Sequence, residues 1–331
     1  MGTVSAIIPT WNRADLLERI LTNLSRQRRR PDQIIVVDNG SADASPLIAR
    51  EFPVDLIVFP ENRGFAVAVN EGIRRSTGDW ILILNNDVVL EPCWLERLLT
   101  SAEQENACFA VGKLLRPNDT SLIDGSWDLI SRAAYAWRCG FEKRDGAVWS
   151  TKRRIAFAPM TAALFHRRVF DRIGLLETRF ESYYEDVDLG VRCALAGLDG
   201  IYDPAAIALH MSKTTLGKSS ARVIFLTARN QLLILAKYYS AKTLLRFAWP
   251  ILVGQLLALL AAAKQGHVMA AMHGKWQGFR QWSSFRQRSS IDSADHIEKV
   301  FADSEREIHR LQRQVGFNPY WRLYFSLVRL G

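Results

Sequence analysis

The sequence predicts an α/β fold built on a parallel sheet covered by helices on both faces. Three observations carry this. Short apolar runs rich in β-branched residues end at proline, glycine or aspartate; amphipathic stretches with apolar residues at helical spacing separate them; and the runs are apolar on both faces, as strands buried from both sides must be. Residues 3–9, "TVSAIIP", form the first run, and its proline ends it. Residues 12–26 read as a helix through Leu16, Leu17, Ile20, Leu21 and Leu24. "QIIVVD", the helix "SPLIAREF" and the strand "VDLIVFP" follow, then a helix over residues 64–75 and the nearly continuous apolar strand in "DWILILNND". Residues 1–112 are thereby expected to be the nucleotide-binding half of an α/β domain.

From residue 113 to about 150 the periodicity weakens, which suggests loops with short antiparallel strands. Order returns at "APMTAALFHRRVFDRIGLLE", a strand of small residues leading into a helix, then at "YYEDVDLGVRCALAG" and the strand "GIYDPAAIALH". Residues 113–215 form the second expected segment and 216–331 the third, with helices over 223–239 and 244–263. The chain has 331 residues, 48% hydrophobic and 23% charged, an ordinary globular composition that excludes disordered and fibrous classes. Four dispersed cysteines without a C-x-x-C pair, and no charged-then-apolar leader, fit a reducing cytosolic setting without disulfides or a zinc finger. The net charge of +9 is uneven, because residues 211–331 hold 18 Lys+Arg against 6 Asp+Glu, whereas residues 1–210 hold 25 against 28. A basic segment suits an anionic membrane surface or a nucleic acid, and no recognisable nucleic-acid module accompanies it.

In a parallel α/β sheet ligands bind beyond the carboxyl ends of the strands. Four polar clusters fall there: "PTWNR", "VDNGSAD", "ENRGFAVAVN" and "NNDV". The first strand is not followed by G-x-G-x-x-G and the chain has no G-x-x-x-x-G-K-[ST], so a dinucleotide site and a P-loop lose their usual phosphate cradles. Asp87 at a strand end can hold a hard divalent cation that bridges a diphosphate, or it can cap the next turn; spacing leaves both open.

"IIPTWNR", "VVDNGSAD", "NRGFAVAVN", "LNNDV" and "YYEDVDLGVR", in this order, resemble family 2 glycosyltransferases of the inverting GT-A class, in particular bacterial rhamnosyltransferase-like members, over residues 3–240. The resemblance implies a GT-A fold, a Rossmann-like mixed sheet with helices on both faces, followed by a helical C-terminal region that associates with membrane. It implies that Pro9, Thr10 and Asn12, with Asp38 and Asn39, line the base and ribose pocket of a nucleotide sugar. Asp38 would accept from a pyrimidine N3–H, favouring uracil or thymine. Arg63 would approach the diphosphate, with Asn62 and Gly64 shaping its loop and Asn70 in support. The family's Asp-x-Asp motif is here Asn85, Asn86 and Asp87, which leaves Asp87 as metal ligand and Asn86 as a ribose contact. His210 would be a second ligand of Mn²⁺ or Mg²⁺, although a lone histidine also serves structure. Thr161 and Ala162 would meet the donor sugar, or simply pack.

Inverting transfer needs one general base for the acceptor hydroxyl, while a cation can neutralise the leaving diphosphate. Glu185, Asp186 and Asp188 lie together at a predicted helix start, where the helix dipole favours carboxylates whatever their role. By resemblance Asp186 is the base and Glu185 an orienting neighbour; Asp188 caps the helix or pairs with Arg192 at i+4. The expected reaction is transfer of a sugar, L-rhamnose from dTDP-rhamnose, to a lipid-linked or polysaccharide acceptor in cell-envelope synthesis. A UDP-sugar donor (galactofuranose, glucose or N-acetylglucosamine) and a non-catalytic nucleotide-sugar-binding partner are the alternatives. Residues 247–263 carry no charge and could be a buried, interfacial or short spanning helix. Trp321, Tyr324, Phe325 and Val328 share one face of a terminal helix, with Arg322, Ser326 and Arg329 opposite, which suggests peripheral docking on an anionic leaflet at the cytoplasmic face of the inner membrane; the same stripe could instead pack inward.

Overall fold

The computed structural model describes residues 2–211, 220–286 and 294–330 and divides into two compact units. The first holds residues 2–127 and 138–211. In chain order it begins β1 (Val4–Thr10), α1 (Ala14–Ser25), β2 (Gln33–Asp38), α2 (Ser45–Arg50), β3 (Asp55–Val58), α3 (Phe65–Arg75) and β4 (Trp80–Leu84). The four strands pair parallel in the order β4-β1-β2-β3. Helix α1 buries Leu16, Leu17, Ile20, Leu21 and Leu24, the stripe that its spacing requires.

Beyond β4 the sheet becomes mixed. β5 (Val88–Leu90), α4 (Trp94–Gln104), β6 (Phe109–Arg116) and β7 (Asp119–Gly125) come next; β6 runs through residue 112, so both halves of the unit share one sheet. β8 (Asp128–Ile130) and β9 (Ala136–Arg138) make a separate hairpin, followed by β10 (Arg153–Ile155), β11 (Ala162–His166), α5 (Arg168–Ile173), α6 (Glu185–Leu195) and β12 (Gly200–His210). The order is β10-β12-β6-β11-β4-β1-β2-β3, with β5 on β12 and β7 on β6. β11 is antiparallel to both β4 and β6, whereas β12 runs parallel to β6, so the parallel run of the first four strands continues into the mixed sheet that the resemblance implies. An apolar run buried on both faces carries no mark of its direction, which is why the reversal is silent in the sequence. The strand of small residues also starts at Ala162, later than "APMTAALF" suggests.

The second unit is helical: α7 (Ala221–Tyr238), α8 (Ala241–Arg246), α9 (Ala248–Lys264), α10 (Val268–Arg280), α11 (Trp282–Phe285), α12 (Ala294–Val315) and α13 (Pro319–Leu327), together with residues 128–137 of the hairpin. The single helix expected over 244–263 is two, broken at Phe247; Pro250 sits in the first turn of α9, where its missing N–H costs nothing. No helix among the described residues is long and apolar enough to cross a membrane, so the spanning option for 247–263 falls away.

The terminal aromatic stripe also differs from the docking expectation. Trp321, Tyr324 and Val328 are buried. They point inward because the hairpin supplies partners: Tyr320 stacks on Tyr135 at 4.0 Å, and the Tyr324 hydroxyl donates to Glu305 Oε2 at 2.9 Å. Glu305 is fully buried and accepts from the Arg132 backbone N–H at 2.7 Å and from the Arg132 guanidinium at 2.6 Å. Glu305→Ala leaves the partly buried Arg132 charge without its partner, and urea denaturation should show a loss of about 3–5 kcal/mol.

Candidate active site

The predicted clusters converge at the carboxyl end of β4, β1 and β2. Asn86 Nδ2 donates to Thr10 Oγ1 at 2.9 Å, tying the turn after β4 to the end of β1. Asn12, at φ 46, receives the Ala42 N–H on its side-chain oxygen and donates its own N–H to Ser41 Oγ, both at 2.8 Å. Asn39 and Asn62 brace the loop after β3: Asn39 Oδ1 accepts from the Arg63 N–H and Asn62 Oδ1 from the Gly64 N–H. Gly64 has φ +89, and a Cβ there would come within 3.0 Å of the Glu181 carbonyl, so only glycine lets this loop reach the segment before α6. Asp38 is buried; one oxygen accepts from the Ser41 N–H at 2.9 Å and the other, Oδ2, has no hydrogen-bond partner. Pro9 is half-buried and Arg63 exposed, its guanidinium 5.3 Å from the Phe59 ring centroid.

Asn70 is buried on α3, with Nδ2 donating to the Leu176 carbonyl and Oδ1 accepting the Leu176 N–H, each at 2.9 Å. Both ends of the amide are thus engaged in holding the segment that leads to α6, a supporting position on the helix.

Asp87 and His210 meet across the sheet edge, where β12 pairs antiparallel with β5 and places His210 opposite Val88. His210 Nε2 lies 3.3 Å from Asp87 Oδ1, and Nδ1 lies 2.6 Å from Asp124 Oδ2 on β7. Burial alone would lower the imidazole pKa, but the hydrogen bonds that the ring donates to Asp124 and Asp87 outweigh it and raise it to about 9. Among the described residues no cluster of three or more His, Cys, Asp or Glu side chains is placed to hold a metal. The pair nonetheless fits a divalent cation: one carboxylate and one imidazole nitrogen at near-contact distance, the other ring nitrogen fixed by a buried carboxylate. The remaining ligands would have to come from diphosphate oxygens and water.

The carboxylate cluster opens α6. Tyr183 and Tyr184 both have positive φ, 66 and 75, a conformation that costs a non-glycine residue of order 1–3 kcal/mol and is common where a site imposes it. Asp188 is fully buried and paired with Arg192 Nε at 2.9 Å, while the Arg192 guanidinium also donates to the carbonyls of Ile173 and Leu175. Glu185 is buried, Oε2 lacks a hydrogen-bond partner, and desolvation first, then the neighbouring Asp186 charge, hold its carboxyl well above the usual range. Asp186 is the accessible member, its side chain 15% exposed, with Arg138 Nη2 3.7 Å from Oδ2. Arg138 Nη1 also donates to Thr161 Oγ1 at 3.2 Å, and the Thr161 carbonyl accepts the Asn85 N–H at 2.9 Å. A contact chain therefore runs from the turn after β4, through Thr161 and Arg138, to Asp186. Ala162 is buried in the strand pairing with Leu84.

Arg138 and Asp124 escape the sequence reading. Both lie in the stretch without periodicity, and a carboxylate on a short strand looks like an outward residue unless its histidine partner is known. Two shallow concavities of about 320 and 550 Å³ lie elsewhere, around Gly2, Asp79 and Trp80 and around Cys108, Arg168 and Asp199, away from these residues.

A mixed α/β sheet that gathers strand-end polar loops, a carboxylate–imidazole pair and a helix-start carboxylate on one edge is the arrangement of a nucleotide-sugar glycosyltransferase. Residues 5–174, half of the chain, match the family model "Glycosyl transferase family 2", and the chain belongs to that family. It is 28% identical over 257 residues to the N-acetylglucosaminyl-diphospho-decaprenol L-rhamnosyltransferase of Mycobacterium tuberculosis, covering 70% of this chain and 83% of the relative. It is also 28% identical over 225 residues to the pre-mycofactocin glycosyltransferase of the same organism, covering 67% and 45%. In fold it is similar to the mannosyltransferase PcManGT from Pyrobaculum calidifontis, solved with GDP-Man and Mn²⁺ (TM-score 0.53, 17% identity, 98% of this chain and 86% of that one). The fold of GalNAc-T7, solved with UDP, GalNAc and Mn²⁺, is similar too (TM-score 0.64, 13% identity, 96% and 59%).

An imidazole must be neutral to hold a metal, and the carboxylates of Asp124 and Asp87 raise the pKa of His210 to about 9, so a cation held there would have to displace its proton. Mn²⁺ affinity measured by titration calorimetry should therefore rise steadily from pH 6.5 to 8.5, with proton release on binding. The metal-free chain has the opposite trend: the raised pKa adds stability below the unfolded value, and this is lost as pH climbs from about 6.5 towards 9.

Proposed function

We propose that the chain is an inverting, metal-dependent transferase that moves L-rhamnose from dTDP-rhamnose to a polyprenyl-diphosphate-linked or polysaccharide acceptor, at the cytoplasmic face of a bacterial inner membrane, in cell-envelope glycan assembly. The observation that carries the chemistry is the contact chain that sets the accessible Asp186 on the same sheet edge as Asp87 and His210. The relative acting on a decaprenol-linked sugar supports the acceptor class and the sugar. Asp38, with one buried oxygen lacking a partner, suits a pyrimidine N3–H and so a thymine or uracil donor.

In this reading Asp186 removes the proton from the acceptor hydroxyl as it attacks the anomeric carbon opposite the leaving diphosphate. Arg138 orients the Asp186 carboxylate and ties it to Thr161 beside the donor. Glu185, whose carboxyl is held well above the usual range first by burial and then by the Asp186 charge, would stand beside the base as an orienting neighbour. Asp87 and His210 would hold Mn²⁺ or Mg²⁺, which when bound supplies positive charge to the leaving diphosphate. Asn86, Asn39 and Asn62 keep the pocket loops in place before the donor arrives, so little ordering remains to be done on binding.

Asp186→Asn should lower turnover by about 10²–10⁴-fold and leave the donor-induced thermal shift unchanged. A near-normal rate would remove Asp186 from the role. Melting the wild type with nucleoside diphosphates and Mn²⁺ tests the donor: dTDP should raise the transition most, and a larger rise with UDP would move the donor to a UDP-sugar.

A further inference from the structure

The aromatic face expected to meet lipid is buried, yet the second unit exposes a different apolar surface. Along α9, Trp249, Leu252, Leu256 and Leu260 fall on one stripe, and along α10 Met269, Met272, Trp276 and Phe279 fall on another; Leu323 and Leu327 stand one turn apart on α13. Each of these ten side chains is more than half exposed. The stripes are neighbours. Lys275 Nζ of α10 donates to Gln255 Oε1 of α9, which places the two stripes on either side of this contact line, and Trp249 Nε1 donates to the Leu327 carbonyl of α13 at 2.9 Å. The opposite faces of α9 and α10 pack inward through Ala262 and Ala271 against Ala228 of α7. The result is one contiguous apolar surface across three helices, well beyond the singly scattered apolar residues of an ordinary soluble face.

Charge decides what this surface fits. Residues 220–286 contain nine Lys+Arg and not one Asp or Glu, and residues 316–330 contain Arg322 and Arg329 without a carboxylate. Lys264 lies one turn beyond Leu260, and Arg280 one turn beyond Trp276; both are exposed at the border of the stripes. A second copy of the same surface would bring like charges together with no carboxylate to pair them. A lipid leaflet supplies both complements at once, acyl chains for Trp, Phe, Met and Leu and anionic headgroups for the border.

We propose that the outer face of α9, α10 and α13 is the surface by which this chain lies on an anionic phospholipid leaflet, its apolar side chains entering the headgroup boundary without crossing it. This deepens, and rests on, the reading of a transferase with a lipid-linked acceptor.

Co-sedimentation of the full chain with phosphatidylcholine vesicles, with and without phosphatidylglycerol, tests it. The wild type should sediment with the phosphatidylglycerol vesicles and be released by salt. The triple variant Leu256→Ser, Trp276→Ser, Phe279→Ser should partition at least about tenfold more weakly, with an unchanged circular-dichroism melt and donor-induced shift. The double variant Lys264→Glu, Arg280→Glu, which keeps the apolar stripes, should lose the preference for phosphatidylglycerol. A wild type that stays in the supernatant with both vesicles, or a triple variant that binds as the wild type does, overturns the proposal. So does a wild-type dimer that the triple variant converts to monomer, since the surface would then belong to a second copy. Vesicle binding requires no nucleotide, so its failure is separable from failure of the sugar-transfer assay.

Discussion

The imidazole of His210 is the joint on which the active edge depends. Three segments far apart in sequence, the turn after β4, strand β7 and the end of β12, present Asp87, Asp124 and His210 to one another inside the protein. Two carboxylates buried this close to each other are tolerable only with a positive charge between them, which the raised pKa of His210 provides when no cation is present. The short hydrogen bond between His210 Nδ1 and Asp124 fixes the ring orientation from the side away from Asp87.

Around this joint the site is prepared by backbone rather than by side-chain bulk. Gly40 and Gly64 take positive φ where a Cβ would collide with the backbone of Glu61 or crowd that of Glu181. Asn12, Tyr183 and Tyr184 take positive φ despite having side chains. The strain is balanced by the hydrogen bonds that Asn12, Asn39, Asn62 and Asn70 make to neighbouring main chain. Asparagine recurs because its short amide reaches two backbone groups at once and tolerates the left-handed region. The same asparagines that the resemblance implies as pocket residues also hold the pocket loops to one another.

The first four strands and their helices were legible because each signal there is local: apolar runs, amphipathic spacing, a proline or glycine at the boundary. The pairing of Asp188 with Arg192 was legible for the same reason, since i and i+4 are always neighbours on a helix. Strand direction in β11, the partnership of His210 with Asp124 and the reach of Arg138 to Asp186 were not, because each depends on contacts across tens of residues through a stretch with no periodic pattern. For the C-terminal third the sequence left the terminal stripe open between lipid and protein, and Trp321, Tyr324 and Val328 pack inward. Periodicity identifies an amphipathic helix, but whether its stripe meets lipid or protein is settled by what else folds against it, here Tyr135 and Glu305.

The hairpin β8–β9 leaves the first unit at residue 127, adds residues 128–137 to the core of the second, and returns at Arg138, the residue that orients Asp186. The chain therefore passes between the two units at residues 127 and 138 as well as ahead of α7. Removing the C-terminal helices would strip Arg132 of Glu305 and uncover the hairpin just ahead of Arg138 in the chain, so a loss of order there reaches the Arg138–Asp186 contact along ordinary covalent backbone. Shuffling either unit onto a different partner would demand two compatible junctions at once. The C-terminal helices are in this sense inherited with the chemistry, not appended to it.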